Sequence, residues 1–272
     1  MTTSNFPFRL AAIDLDDTLL SPDKTISAEN KAAIRALQAR GVRILLASGR
    51  RHENMLKYHL ELELEGAIVS CQGALSRIAE TSEILHRQTM PAELASSIVR
   101  DGESRGKTQI YYHLEGTYVT EFNEWTELYD SRTHTAVVKV ESLQQFDGTE
   151  PLKILWVGDA QYNLDQYDAI LEHYGDALEL VITDPEYLEF MRAGVTKSLG
   201  IAATAAYYGI EQSQVLAFGD GNNDVTMLKW AGLGIAMDHA RDSAKQAADI
   251  IAPVGPPQTS FARAVLKLIA DY

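Results

Sequence analysis

Asp14-Leu15-Asp16-Asp17-Thr18 places three acids directly after a short apolar run, FRLAAI at 8–13. In a sheet of parallel strands, ligands gather beyond the carboxyl ends, so this run aims negative charge at the place a ligand would take. Carboxylates crowded in this way repel one another, and a hard cation with oxygen ligands is the usual remedy. A solvated acidic loop with an Asp capping a helix is the plainer alternative. Gly219-Asp220-Gly221-Asn222-Asn223-Asp224 again follows an apolar run, QVLAF at 214–218. Alone it reads as an ordinary turn and helix start. It is not a Ca2+ loop, because the twelfth position counted from Asp220 is Ala231 rather than Glu. Two acidic clusters closing two strands point to one cation site more strongly than either does alone.

Two further segments suit an anion. Ser48-Gly49-Arg50 closes the run VRILLA at 42–47 and offers a hydroxyl and open backbone N–H groups to an oxyanion. Arg50 reads either as a substrate contact or as the partner of a loop acid. Lys197 opens a helix after Gly194-Val195-Thr196, where a cation works against the helix dipole. An anion to bind would justify it, and a solvated lysine is the alternative. Other constellations carry less. The seven histidines lack any HExxH spacing, Tyr111-Tyr112 and Trp125 read as core, and neither GxGxxG nor GxxxxGK[ST] is present.

The elements that must position these residues follow a rhythm. Apolar runs at 8–14, 42–47 and 67–70, separated by helix-length segments, read as β-α-β-α-β, hence a parallel sheet. The rhythm returns at 214–219, 233–236 and 249–252, with helices near 196–208, 224–230, 241–247 and 260–270. Between them, alternating aromatic and β-branched stretches at 110–113, 118–120, 137–140 and 153–157, with helices at 92–103 and 163–174, describe a different unit. Glu115-Gly116 marks a hairpin there. The fold class is therefore α/β, a doubly wound Rossmann-like parallel-sheet core over 1–82 and 190–272, with an inserted α+β domain over 83–189.

Composition narrows the classes. The 272 residues carry 24 Lys and Arg against 38 Asp and Glu, a net charge of −14, which disfavours nucleic acid and anionic membranes as partners. With 46% hydrophobic and 23% charged residues the chain is that of a folded soluble protein. The single Cys71 rules out an intrachain disulfide and any cysteine metal cluster. No apolar run approaches the roughly 20 residues that span a bilayer, and MTTSNFPFRL lacks a signal-peptide pattern. A cytoplasmic location is expected.

In order along the chain come DxDxT, a hydroxyl-Gly pair, Lys and GDxxND. That series, with Gly194-Val195-Thr196-Lys197, the Ala236-Met237 pair and an insertion between the second and third motifs, resembles the haloacid dehalogenase-like hydrolase superfamily, specifically its Cof-type phosphatase branch. The resemblance implies that Asp14 is a nucleophile forming an aspartyl-phosphate and that Asp16 is the acid and base. It implies Mg2+ held by Asp14, the Asp16 main-chain carbonyl and Asp220. Ser48, Gly49, Lys197 and Asn223 would hold the phosphoryl oxygens, with Thr18 and Asp224 behind them. The insertion occupies the place of that branch's cap domain. Three departures stand out: Ser48 for a more usual Thr, Gln72 for Asn, and Asp238-His239 for Gly-Asn.

The chemistry wants the same residue types for its own reasons, since a carboxylate attacks a dianionic phosphate only where cations offset the repulsion. The expectation is an Mg2+-dependent phosphatase of a small phosphorylated molecule, a sugar phosphate or phosphorylated cofactor. The rival readings are a phosphotransferase or mutase using the same nucleophile, and a phosphate-ester-binding regulator without turnover. The oligomeric state is not encoded in any motif.

Overall fold

The structure, a computed structural model, describes residues 6–272; residues 1–5, the start of the stretch read for a signal peptide, lie outside them. The first apolar run is β1 (Leu10–Ile13), buried at every position. The Ser27 hydroxyl accepts the Asn30 N–H at 3.1 Å and so caps α1 (Ala28–Gln38), which leads into β2 (Arg43–Ala47). α2 (His52–Glu61), β3 (Ala67–Ser70), β4 (Leu75–Ile78) and β5 (Ile84–Arg87) follow. Next come α3 (Ala92–Ser104), β6 (Thr108–His113), β7 (Gly116–Val119), α4 (Glu124–Thr133) and β8 (Val138–Lys139). β9 (Lys153–Val157), α5 (Ala160–Tyr174), β10 (Leu178–Ile182) and β11 (Tyr187–Arg192) complete the middle of the chain. The last part holds α6 (Lys197–Tyr207), β12 (Val215–Gly219), α7 (Val225–Trp230), β13 (Leu233–Ala236), α8 (Asp242–Ala247), β14 (Ile250–Ile251) and α9 (Ser260–Asp271).

These elements form two compact units, one from the residues up to His86 together with Thr196–Tyr272, the other from Arg87–Val195. The first unit is built on a sheet of order β14-β13-β12-β1-β2-β3-β4-β5. It is parallel from β14 to β3, and β4 turns antiparallel. Strands covered on both faces must be apolar throughout, which is why β1 and β12 read as continuous runs; Leu10, Leu45, Ile68, Phe218 and Phe261 belong to one core. β1 has β2 on one side and β12 on the other, so the chain reverses its winding at β1, the place where such sheets bind ligands.

The second unit has a sheet of order β10-β11-β9-β6-β7-β8, antiparallel except between β7 and β8. Tyr111, Ile154, Trp156, Leu188 and Phe190 pack together in its core. Their alternate neighbours face the other way and include a buried ion pair, Lys153 Nζ to Glu189 Oε1 at 2.9 Å.

β4, β5, α4, β10 and β11 are not anticipated by the sequence patterns. β4 and β5 are four-residue strands, the second of them wholly or partly exposed, and α4 buries only Thr126 and Tyr129, so none carries a clear apolar period. The junctions fall beyond 83 and 189 because β5 still belongs to the first sheet and β11 runs to Arg192 in the second.

Lys153→Met strands the Glu189 carboxylate inside the second unit and is expected to cost about 3–5 kcal/mol of stability. The Lys153→Met/Glu189→Leu pair should recover most of that loss, since two well-packed apolar groups then replace the ions. Urea melts of the three proteins measure both quantities.

Candidate active site

The site assembles where β1 and β12 end side by side. The Asp14 N–H donates to the Phe218 carbonyl at 3.0 Å, which carries the β1–β12 ladder one residue further and fixes Asp14 at the edge of the sheet. Its side chain is buried, with 7% of its surface exposed. Lys197 is buried completely, and its ammonium group donates to Asp14 Oδ1 at 2.5 Å and to Asp224 Oδ1 at 2.7 Å. The other Asp224 oxygen accepts the N–H groups of Asp220 and Gly221, each at 2.9 Å. Asp224 therefore shapes the loop that carries Asp220 and steadies the lysine. Thr18 closes the ring, its hydroxyl donating to Asp220 Oδ1 at 2.7 Å.

The helix that carries Lys197 is seated by a steric requirement. A Cβ at Gly73, which has φ +96°, would lie 2.0 Å from the Thr196 carbonyl oxygen, so only glycine lets the turn after β3 touch the start of α6. The Lys197 ammonium is buried against the carboxylates of Asp14 and Asp224, so it is not the solvated lysine that the sequence also allowed.

Asp16 has a different environment. Arg50 grips it through two bonds, Nε to Oδ2 and Nη2 to Oδ1, both 2.7 Å, and Lys24 Nζ adds a third at 2.7 Å. The loop acid that Arg50 pairs with is thus Asp16 itself. Confinement pushes the Asp16 carboxyl up, but Arg50 and Lys24 outweigh it and pull the group down to about 2.

Ser48 ends β2 beside β1, and its hydroxyl accepts the Arg50 N–H at 3.2 Å. Ser48 and Asn223 are brought into one assembly by a residue that the motifs did not single out for a role: Gln72 donates its N–H to the Ser48 carbonyl at 3.1 Å and accepts from Asn223 Nδ2 at 3.1 Å. The unusual Asp238-His239 pair divides its work. Asp238 accepts from Ser260, Arg263 and the Gly255 N–H. His239 Nε2 lies 2.6 Å from the Asp17 carbonyl and, since a carbonyl only accepts, donates to it.

Asp14, Asp220 and Asp224 offer oxygens that lie within 4.8 Å of one another. Burial, then the Asp224 charge, pushes the Asp14 carboxyl well above the usual range against the pull of Lys197. Burial and Asp224 likewise push Asp220 up to about 7. Burial works to lower Lys197, but Asp14 and Asp224 hold it above its ordinary value. One ammonium cannot neutralise three carboxylates, and an all-oxygen donor set of this kind suits a hard divalent cation. Both Asp224 oxygens already accept hydrogen bonds, from Lys197 and from the Asp220 and Gly221 N–H groups. Asp14 and Asp220 each accept a side-chain hydrogen bond at Oδ1 only, so their carboxylates could hold such a cation.

The profile of the haloacid dehalogenase-like hydrolases matches residues 11–255. A 5-amino-6-(5-phospho-D-ribitylamino)uracil phosphatase of Bacillus subtilis is 27% identical over 256 residues, covering 88% of this chain and 90% of its own. An HMP-PP phosphatase of Serratia proteamaculans is 25% identical over 238 residues, covering 86% and 85%. A solved haloacid dehalogenase-like hydrolase from Bacteroides thetaiotaomicron superposes with a TM-score of 0.85 at 25% identity, over 96% of this chain and 99% of that one.

The raised Asp220 carboxyl fixes the sign of a pH effect. Its contribution to folding is present below the ordinary value of 3.8 and is lost as the pH climbs towards about 7. Without a divalent cation, the protein should therefore melt lower at about pH 8 than at about pH 5, relative to Asp220→Asn, which lacks this titration. A hard divalent cation should raise the melting temperature more at the higher pH, because it replaces the proton. Calorimetry on both proteins, with chelator and with cation, checks this; an equal cation effect in Asp220→Asn contradicts it.

Proposed function

The chain belongs to the haloacid dehalogenase-like hydrolases, and from that membership we propose that it is an Mg2+-dependent phosphatase of small phosphate monoesters, a sugar phosphate or a phosphorylated cofactor. The observation that carries the reading is the buried contact of Lys197 with both Asp14 and Asp224, next to Asp220 at the ends of two adjacent strands. The named substrate of the Bacillus subtilis relative, a phosphorylated ribitylaminouracil, supports a monoester of similar size. Within the described residues no helix is long and apolar enough to cross a membrane, and the charge of −14 disfavours nucleic acid.

In this reading Asp14 attacks phosphorus. The Asp14–phosphorus bond forms as the bond to the ester oxygen breaks, and Asp16 gives that oxygen a proton. Asp16 then takes a proton from water, which attacks the aspartyl-phosphate, releases inorganic phosphate and restores Asp14. Lys197 holds the nucleophile in place and offsets its charge, while Ser48, Gly49 and Asn223 hold the phosphoryl oxygens. Positioning and charge compensation of this kind supply most of what phosphoryl transfer needs. Asp14, the Asp16 main-chain carbonyl and Asp220 would hold Mg2+, which when bound adds the charge that lets an anionic nucleophile approach a dianion.

The grip of Arg50 and Lys24 on Asp16 suits the base half of its role. The acid half requires those ion pairs to part, so that the carboxyl can carry a proton. Residues 87–195 contribute none of these groups, and we assign to them the choice of substrate.

Asp14→Asn should abolish turnover, because an amide neither attacks phosphorus nor carries the phosphoryl group. Asp16→Asn should lower turnover of an alkyl phosphate by about 10²–10⁴-fold. It should affect p-nitrophenyl phosphate less, since that leaving group needs little protonation. Without its base the second step also slows, so phosphorylated protein accumulates in Asp16→Asn and never in Asp14→Asn. Intact-protein mass spectrometry after quenching with substrate and Mg2+ reads this directly, and covalent phosphate on Asp14→Asn overturns the mechanism.

A further inference from the structure

Cys71, Gln72 and Gly73 follow β3 with φ of +50°, +58° and +96°. Side chains rarely accept that conformation, and it persists only where the surroundings over-determine it. Here two backbone bonds clip the turn to the loop after β2: the Cys71 N–H to the Arg50 carbonyl at 2.9 Å and the Gln72 N–H to the Ser48 carbonyl at 3.1 Å. The result is that the Gln72 side chain, only 3% of that residue being exposed, lies across the site. Its Oε1 accepts from Asn223 Nδ2 at 3.1 Å. Its Nε2 end covers Gly49 so closely that a Cβ there would come within 2.5 Å. One carboxamide thus joins the loop after β2 to the turn after β12, and those two strands flank β1, at whose end Asp14 sits.

We propose that Gln72 is a positioning residue for the phosphoryl group, fixing the Asn223 carboxamide with its N–H2 end turned towards the bound anion. The two ends of a carboxamide have nearly the same shape and opposite hydrogen-bonding sense. An acceptor at Gln72 Oε1 selects the orientation in which Asn223 presents its donors. One of them serves Gln72 and the other is left for a phosphoryl oxygen. Without that acceptor Asn223 can turn its carbonyl to the anion, where it repels. This inference rests on the phosphatase reading and deepens it.

Gln72→Met keeps the length and bulk over Gly49 and removes the acceptor. Loss of an interaction made equally to bound substrate and transition state raises KM with little change in kcat. With Mg2+ present, Gln72→Met should therefore raise both the KM for p-nitrophenyl phosphate and the inhibition constant of inorganic phosphate by about tenfold, with kcat within about threefold of the wild type. Asn223→Ala should lose phosphate affinity, and adding Gln72→Met to it should cause no further loss, because the two side chains act as one unit. Should Gln72→Met fail to fold, Gln72→Asn, one methylene too short to reach, carries the same expectation. An unchanged inhibition constant, or losses that add in the double variant, overturns the proposal. If the wild type neither hydrolyses p-nitrophenyl phosphate nor binds phosphate, the phosphatase reading fails and takes this proposal with it; a wild type that does both beside an indistinguishable Gln72→Met overturns the role of Gln72 alone.

Discussion

A single ammonium group, Lys197 Nζ, lies in the interior between the carboxylates of Asp14 and Asp224, and much of the first unit is arranged to keep it there. Carboxylates buried this close together need a cation or a proton among them, and removing the lysine leaves charges that only protonation would relieve. The requirement reaches back into the backbone. Lys197 must start a helix, α6 must press on the turn after β3, and the turn must have glycine at position 73. β12 must lie directly against β1, so that the loop shaped by Asp224 meets the end of the strand that carries Asp14.

Asp14 and Asp16 stand two residues apart in opposite surroundings. Asp14 is enclosed and pushed up among other acids, with one lysine against it. Asp16 keeps 36% of its side chain exposed and is clasped by a guanidinium and an ammonium that hold it down. Two chemically identical groups acquire opposite proton affinities from environment alone, as paired carboxylates in active sites commonly do.

The positions of Asp14 and Asp220 were legible because both depend on a local feature, an apolar run that stops at an acid. The parallel sheet was legible for the same reason. What could not be read were contacts set by the reach of side chains between neighbouring loops. Arg50 meets Asp16 across 34 positions and Gln72 meets Asn223 across 151, and nothing in the immediate sequence of any of these residues announces the partner. The sequence leaves Arg50 divided between substrate and loop acid, and the contact with Asp16 decides it. Gln72 is only an unusual residue in the sequence, since its backbone conformation comes from the loop it is clipped to. Short, half-exposed strands such as β5 escaped because the sheet, rather than their own pattern, makes them strands.

The pairing of β1 with β12 also decides when this protein can first exist as a functioning object. Thr18 and Asp220, which share a hydrogen bond, are 202 positions apart, and the whole second unit is synthesised between them. A nascent chain that has finished β1, β2 and β3 has one side of its central strand unsatisfied, an open edge of the sort that recruits other strands. The edge is filled only when Val215–Gly219 leaves the ribosome, so the interval of greatest exposure to misassociation is set by the length of the insertion. Lengthening the inserted unit therefore prolongs the wait of the half-built sheet, and with it the demand on the cell's capacity to shelter an incomplete chain.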